Sequence, residues 1–137
     1  MKQEIVLEIP MRWMDMDAYQ HMNSGRYLDY TVESRLQWMG LNPEIMRWVE
    51  ENKLQFVMVK QNFEYFKPIV YPCMIVLTQK LIAVGNSSIE FDYCFSEKDN
   101  LEEVCTSSQA KLVCFDPKTK RSQHYPLEIK EFLLGLI

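Results

Sequence analysis

The sequence lacks the features that assign a chain quickly to several large protein classes. No apolar run approaches the roughly 20 residues that a membrane-spanning helix needs. The stretch MKQEIVLEIP carries charged residues where a secretory signal would be apolar. The chain contains no GxSxG elbow, no P-loop and no GxGxxG fingerprint. These absences exclude the serine-hydrolase elbow and the common nucleotide-binding loops.

The cysteine spacing argues against a structural zinc site, and the net negative charge argues against nucleic-acid binding. Only four cysteines occur, at irregular spacings and without a CxxC pair, so no structural zinc site is expected. Without a signal peptide, the default expectation is a cytoplasmic protein with reduced thiols. The formal net charge of −4 argues against general nucleic-acid binding.

What is present is typical of a globular protein. The 137 residues are 47% hydrophobic and 25% charged, which predicts a single domain spanning 1–137. No linker, repeat or low-complexity segment interrupts the chain. A chain of this length is expected to bury roughly 68–70% of its unfolded surface, enough for one hydrophobic core.

The first predicted element is a strand over residues 5–13. Apolar residues alternate along it, and Pro10 restricts it to a sheet edge or to a strand with a break. The alternation places these residues on one face: Ile5, Leu7, Ile9, Met11 and Trp13.

Two helices are predicted next. Residues 24–39 repeat apolar positions at spacings of three and four, with Asn23 or Ser24 as the N-cap and Gly40 as the stop. A proline then opens a short second helix near 43–51.

The remainder of the chain is predicted to be mostly β. The predicted strands span 54–66, 73–84, 88–96 and 102–115, followed by a polar loop at 116–121 and an amphipathic helix at 126–136. A single long helix cannot cover both faces of a five-stranded sheet. One solution wraps the sheet around the helix and leaves the remaining surface to a partner. A homodimer that pairs sheets edge to edge would also remove an exposed edge strand.

The segment RWMDMDAYQHMNSGRY (12–27) collects ionisable residues where the alternating strand stops. Strand parity would carry Asp15 and Asp17 into the inward-facing series, where an unpaired carboxylate costs several kcal/mol. Either the strand ends near Met14, or the acids lie at the edge of a pocket. Both options place them just before the long helix.

A helix start beside a carboxylate can support acyl chemistry. The first N–H groups of a helix have no intrahelical partner, and the macrodipole adds partial positive charge there. An oxyanion would be stabilised at such a point. Asp17 could attack a carbonyl directly or remove a proton from water. His21 could orient that water, and the backbone N–H near Ser24 could receive the carbonyl oxygen.

Structural interpretations of the same residues remain open. Asn23 and Ser24 are favoured as helix caps, which is compatible with a functional role. Asp15 is expected to accept backbone N–H bonds within the loop. A metal site is disfavoured because no second histidine lies near His21. No metal or cofactor is therefore expected.

The same residues resemble a known family. RWMDMDAYQHMNSGRYLDY is similar to the signature of hotdog-fold thioesterases, in the branch of 4-hydroxybenzoyl-CoA thioesterase and related acyl-CoA and acyl-ACP enzymes. That signature is an aromatic residue, D-x-D, often G/Q-H-V-N-N, and a tyrosine in the helix. FEYFKPIVYP (63–72), GNSSIEFDYCF (85–95) and YPLEI (125–129) extend the resemblance over nearly the whole chain. It implies an α+β hotdog fold: a five-stranded antiparallel sheet wrapped around one long central helix, with short additional helices.

The resemblance also implies roles for individual residues. Asp17 matches the catalytic second acid of D-x-D, and His21 matches a histidine kept in the acyl-ACP branch. Ser24 falls where the helix-start amide polarises the thioester carbonyl. Asn23 matches an asparagine that holds the loop. Tyr19 stands where plant-type acyl-ACP enzymes carry an asparagine, and is expected to narrow the pocket or to replace a polar contact.

Two further residues are predicted to contact the substrate. Met22 and Tyr27 flank the helix start and are the methionine and the aromatic residue favoured as lining of an acyl pocket. Tyr19 and Asn23 complete the predicted substrate-binding set.

The favoured function is hydrolysis of an acyl-CoA or acyl-ACP thioester to a free acid and a thiol. A non-catalytic acyl-binding protein with the same fold is the alternative, and a hotdog dehydratase fits DMDAYQH poorly. The expected assembly is a homodimer or a tetramer formed by two dimers, with no nucleic-acid or membrane partner.

Overall fold

The computed structural model describes residues 3–137, so Lys2 of the opening stretch lies outside the described residues. The helices are α1 (Ser24–Leu41), α2 (Pro43–Glu51) and α3 (Leu127–Leu134), with one 3₁₀ turn at Trp13–Asp15. The strands are β1 (Glu4–Pro10), β2 (Gln55–Tyr65), β3 (Met74–Val84), β4 (Ser88–Glu97), β5 (Thr106–Asp116) and the two-residue β6 (Arg121–Ser122).

The strands form one antiparallel sheet in the order β1-β3-β4-β5-β2, and β6 pairs with the far end of β5. The register shifts between Met58 and Lys60 in β2 and between Leu81 and Ala83 in β3. Bulges of this kind increase the local twist and let a sheet curl. The curled antiparallel sheet with a few helices confirms the predicted fold class, with β6 as a short addition to the five predicted strands.

Helix α1 packs on one face of the sheet, directly over β4. The Tyr27 and Phe95 rings meet at 5.1 Å, and the Trp38 and Phe91 rings meet at 5.0 Å. The helix therefore runs antiparallel to β4, with its N-terminus near Phe95. Four alternating apolar residues of β4 are all buried: Ile89, Phe91, Tyr93 and Phe95.

The first strand is shorter than predicted. It ends at Pro10, the next residues turn into the 3₁₀ segment, and Trp13 is 70% exposed rather than inward-facing. Proline lacks the N–H that a continuing ladder needs. Met11 still lies in the core. Asp15 is fully buried because the 3₁₀ turn, and not the strand parity, directs its side chain inward.

Other boundaries also differ from the sequence expectation, and α3 ends at Leu134 rather than at 136. Helix α1 continues through Gly40 to Leu41 and ends where the Asn42 side chain donates to the Trp38 carbonyl at 2.7 Å. Strand β5 begins at Thr106 rather than at 102, because successive turns follow β4, in which the Asn100 N–H donates to the Glu97 carbonyl and the Glu103 N–H donates to the Asn100 carbonyl. In these turns the Asn100 side chain donates to Glu103 at 2.9 Å. Within residues 3–137, none of the helices combines the length and apolarity needed to cross a membrane.

Candidate active site

The segment between β1 and α1 folds into a small hairpin. Met16 and Met22 form an antiparallel bridge. At the tip, the Asp17 N–H donates to the His21 carbonyl and the Gln20 N–H donates to the Asp17 carbonyl, both at 3.0 Å. Gln20 has φ of 63°, the left-handed conformation that closes a three-residue hairpin loop. The family signature carries Gly or Gln at this position, and glycine adopts this conformation without steric cost.

Asp15 anchors this hairpin to the protein interior. Its carboxylate accepts the Tyr30 hydroxyl at 2.6 Å, the Arg12 backbone N–H at 2.9 Å and the Arg12 guanidinium at 2.8 Å. The Asp15 carbonyl accepts the Asn23 N–H at 2.8 Å. Asp15 therefore fixes both the loop and the residue that precedes α1, which confirms the predicted structural role.

These contacts set the charge state of the anchor. Burial alone would raise the pKa of Asp15, but the hydrogen bonds from Arg12 and Tyr30 outweigh burial and hold the pKa below its ordinary value. Burial and the bond to Asp15 raise the pKa of Tyr30 to about 12. The pair is therefore a carboxylate and a neutral phenol at neutral pH.

The start of α1 presents a free backbone donor. The Asn23 side chain accepts the Gly25 N–H at 2.9 Å, and the Asn23 carbonyl accepts the Arg26 N–H at 2.9 Å. Asn23 is thus the N-cap, as predicted. The Ser24 N–H donates to no acceptor in residues 3–137, and it lies at the positive end of an 18-residue helix.

A cleft of about 420 Å³ opens at this helix start. The predicted site residues other than Asn23 line it: Asp17, Tyr19, His21, Met22, Ser24 and Tyr27. Asn23 faces an adjoining depression beside Met14 and Arg26, and Asp17 lines both this depression and the cleft. The hairpin and the helix start thus bring the proposed acid, the histidine and the free amide to one cavity.

The carboxylate in this cleft is only partly engaged by the protein. Asp17 Oδ1 accepts the Tyr19 N–H at 2.9 Å, which fixes the orientation of the side chain. No donor within the described chain contacts Oδ2. The His21 ring likewise forms no hydrogen bond within residues 3–137. Both groups are free to contact a substrate or a water molecule.

The opposite wall of the cleft was not assigned by the sequence. It consists of the end of β2 and the residues that follow: Tyr65, Phe66, Lys67 and Pro68. The sequence feature that could have indicated this wall is the aromatic pair Tyr65-Phe66, which stands at the end of a predicted strand shortly before Pro68. The Lys67 ammonium lies 3.5 Å from the Glu103 carboxylate and 3.9 Å from the Glu97 carboxylate. The negative charge of Glu103, and next that of Glu97, raises the pKa of Lys67.

Other reactive groups lie away from the cleft. His124 lines a separate depression with Asp116 and Trp48. All four cysteines are free thiols, and burial raises the pKa of Cys73 and Cys114 to about 11. Because the thiolate is the nucleophilic form, thiols with such raised pKa values are weak nucleophiles at neutral pH. Among residues 3–137, no cluster of three or more His, Cys, Asp or Glu side chains is arranged to hold a metal ion.

Comparison with known proteins gives consistent results. The family described as the thioesterase-like superfamily matches residues 11–133. The long-chain acyl-CoA thioesterase FadM of Escherichia coli (strain K12) is 30% identical over 132 residues, which cover 95% of this chain and 97% of FadM.

Solved structures show the same fold. The Escherichia coli protein YbaW superposes with a TM-score of 0.83 at 27% identity, over 97% of this chain and 98% of YbaW. A Staphylococcus aureus protein solved in complex with CoA has a TM-score of 0.83 at 11% identity, over 98% of this chain and 83% of its own. By its matched residues and its hotdog fold, the chain belongs to the thioesterase-like superfamily.

Proposed function

We propose that the chain hydrolyses acyl-CoA thioesters to a free acid and CoA, using the cleft at the start of α1. One observation carries the proposal: a half-buried carboxylate, Asp17, and an unbonded helix-start amide, that of Ser24, line the same cavity. The family membership and the FadM relative support thioester chemistry and the CoA carrier. Nothing comparable supports an acyl carrier protein as the donor, so we propose CoA.

The helix start would activate the thioester carbonyl. The Ser24 N–H would donate to the carbonyl oxygen, and the α1 dipole would stabilise the negative charge that develops on that oxygen in the tetrahedral intermediate. An N–H that is already free of intrahelical partners needs no rearrangement before it binds the oxyanion. Tyr27 and Met22 would contact the acyl group beside this point, with Tyr19 at the mouth of the cleft.

Asp17 would supply the second half of the chemistry in one of two ways. As a general base it takes a proton from water, the hydroxide adds to the carbonyl carbon, and the CoA thiolate leaves and is protonated. As a nucleophile it forms an acyl anhydride with release of the thiolate, and water then cleaves the anhydride. In both routes His21 would orient the water. Trapping an acylated Asp17 peptide by mass spectrometry after single turnover distinguishes the nucleophilic route.

Hydrolysis is separated from simple binding by a panel of acyl-CoAs. The purified protein is expected to release CoA thiol, detected with a thiol reagent, from at least one of butyryl-, lauroyl-, palmitoyl- and benzoyl-CoA. The FadM relative favours the long-chain members. Tight binding of these compounds without thiol release would instead establish the non-catalytic acyl-binding function. We place the reaction in the cytoplasm, in keeping with the four free thiols.

We further propose that the protein acts as a homodimer joined through the β2 edge. Both β1 and β2 are edge strands. Edge β1 carries Glu4 and Glu8 in ion pairs with lysines and ends at Pro10, all features that block strand addition. Edge β2 instead exposes the apolar residues Met58 and Val59.

The β2 interface is tested by substituting one valine on each edge strand. Val59 on β2 and Val6 on β1 are both 54% exposed, so the two substitutions are matched. Light scattering of the wild type is expected to give the mass of two chains, or of four if dimers associate. Val59→Lys on β2 is expected to yield monomers, whereas Val6→Lys on β1 leaves the mass unchanged. Dissociation by Val6→Lys with an intact Val59→Lys assembly would place the interface on the other edge.

A further inference from the structure

The hairpin between β1 and α1 connects the two groups that the proposed reaction needs. Near its tip, the Asp17 N–H donates to the His21 carbonyl at 3.0 Å. At its base, the Asn23 N–H donates to the Asp15 carbonyl at 2.8 Å. Asp17 lies two residues beyond one side of this base, and Ser24 directly follows the other side. The base of the hairpin therefore sets where the Asp17 carboxylate stands relative to the Ser24 N–H.

A side chain of α1 holds the base of this hairpin. Tyr30 lies in the second turn of the helix, and its hydroxyl donates to Asp15 Oδ2 at 2.6 Å. Both residues are buried, with 0% of Asp15 and 8% of Tyr30 exposed, so bulk water does not compete for this bond. The contacts form a closed ring, because the helix reaches Asp15 through Tyr30 and Asp15 returns to the helix start through Asn23.

The other partners of the Asp15 carboxylate do not replace this link. The Arg12 backbone N–H and guanidinium come from the N-cap of the 3₁₀ turn that contains Asp15, so they fix the carboxylate within its own segment. Arg26 Nε lies 3.7 Å from Asp15 Oδ1, beyond hydrogen-bond distance, and the same guanidinium pairs with Asp29. Within residues 3–137, the Tyr30 hydroxyl therefore donates the one hydrogen bond from α1 to the Asp15 side chain.

The bond between these two side chains keeps its character at neutral pH. Tyr30 remains a neutral donor, because burial and the nearby Asp15 raise its pKa to about 12. Asp15 remains an ionised acceptor, because burial raises its pKa but the hydrogen bonds from Arg12 and Tyr30 lower the pKa by more. Charge-assisted hydrogen bonds are shorter and roughly twice as strong as neutral ones. The contact is therefore strong enough to fix the geometry of the hairpin base.

We propose that Tyr30 is a positioning residue for thioester hydrolysis. Through Asp15 it holds the base of the hairpin against α1, and this fixes the Asp17 carboxylate relative to the Ser24 N–H. Neither Tyr30 nor Asp15 lines the cleft, so neither contacts the substrate. The inference rests on the proposed function for the reaction that the acid and the amide serve.

The relative position of the acid and the amide matters most in the transition state. A displacement of about 1 Å between reacting groups can lower the rate by about 10²-fold. Binding of the acyl-CoA depends instead on the walls of the cleft, which include Met22 and Tyr27. Loss of the Tyr30 hydroxyl is therefore expected to lower kcat and to leave KM nearly unchanged.

Steady-state kinetics of Tyr30→Phe test this expectation on the best substrate of the acyl-CoA panel. The variant keeps the ring and is expected to lower kcat about tenfold, with KM within about twofold of the wild type. Val49→Ala is the control for lost stability, because Val49 is buried in α2 and lies outside the cleft. It is expected to leave kcat and KM unchanged. Equal kcat values in Tyr30→Phe and Val49→Ala would overturn the inference.

A double-mutant cycle tests whether Tyr30 acts through Asp15. Asp15→Ala alone is expected to lower kcat at least as much as Tyr30→Phe does. Because the hydroxyl has then lost its acceptor, adding Tyr30→Phe to Asp15→Ala is expected to lower kcat no further. Losses that multiply in the double variant would show that Tyr30 acts by another route, which contradicts the inference.

Amide hydrogen exchange tests the same contact without any substrate. The Asn23 N–H lies in a short hairpin at the surface and is expected to exchange by local opening. Tyr30→Phe is expected to accelerate this exchange about tenfold, because the base of the hairpin opens more often. Val49→Ala is expected to leave the exchange rate of Asn23 unchanged. A wild-type rate at Asn23 in Tyr30→Phe would show that the hydroxyl does not hold the hairpin.

The two readouts separate this inference from the proposed function. Thiol release by the wild type, with an unchanged kcat in Tyr30→Phe, would reject the positioning role and leave the hydrolase function in place. Conversely, an acyl-CoA panel without thiol release would reject the hydrolase function. Faster exchange at Asn23 in Tyr30→Phe would then still support the hold of Tyr30 on the hairpin, in a protein that binds rather than hydrolyses.

Discussion

Replacing Asp17 by asparagine is expected to lower kcat/KM for acyl-CoA hydrolysis by about 10²–10⁴-fold. The amide keeps the size of the side chain and can still accept the Tyr19 N–H bond through its oxygen. It can neither take a proton from water nor attack the thioester. The hairpin that carries Asp17 is closed by backbone bonds that do not involve the carboxylate, so the fold is expected to persist.

The control for this variant is another aspartate near the same helix. Asp29 lies in the second turn of α1, is exposed, and pairs with Arg26 at 3.2 Å. Asp29→Asn removes one negative charge as Asp17→Asn does, and is expected to retain wild-type turnover. Thiol release is measured on the best substrate of the panel, and circular dichroism checks the fold. Near-wild-type rates in Asp17→Asn would remove the catalytic assignment of this carboxylate.

Replacing Asp15 by alanine is expected to lower the free energy of unfolding by about 3 kcal/mol. The substitution leaves the Tyr30 hydroxyl buried without an acceptor and frees the Arg12 backbone N–H. The Arg12 guanidinium is mostly exposed and regains water, so the ion pair itself contributes little to this loss. Urea unfolding measures the difference.

Tyr30→Phe isolates one part of the Asp15 effect. It removes only the 2.6 Å hydroxyl bond, and is expected to lower the free energy of unfolding by about 2 kcal/mol. Asp29→Asn again serves as the surface control, with a change within about 0.5 kcal/mol. A loss in Asp15→Ala no larger than that of the control would contradict the anchoring role.

The Asp15 contribution should also depend on pH in a defined direction. Because the folded-state pKa lies below the ordinary value of 3.8, the stabilisation is fully present above about pH 4 and is lost as pH falls through the folded-state pKa. The difference in unfolding free energy between the wild type and Asp15→Ala is therefore expected to shrink as the pH is lowered from neutral to below 3.8. A constant difference across this range would show that the carboxylate is not the stabilising species.

Local patterns were sufficient for much of the fold. The bounds of α2 were predicted from the proline that opens it, and the N-cap Asn23 from capping preferences, because these properties are decided by neighbours along the chain. The predicted boundaries were wrong where a turn or a capping side chain ends the element. The alternation of apolar residues along the first strand did not indicate the 3₁₀ turn that leaves Trp13 exposed. Helix α1 likewise continues past Gly40, where the sequence predicted its end.

The sequence by itself determined the class of fold, the helix start and the candidate acid, histidine and amide, since all of these lie within one short segment. Only the tertiary structure decided what faces them. The wall of Tyr65 and Phe66 comes from a strand end some forty residues away along the chain. A cavity and its chemical character arise from long-range packing, and the spacing of residues along a chain does not encode which surfaces meet.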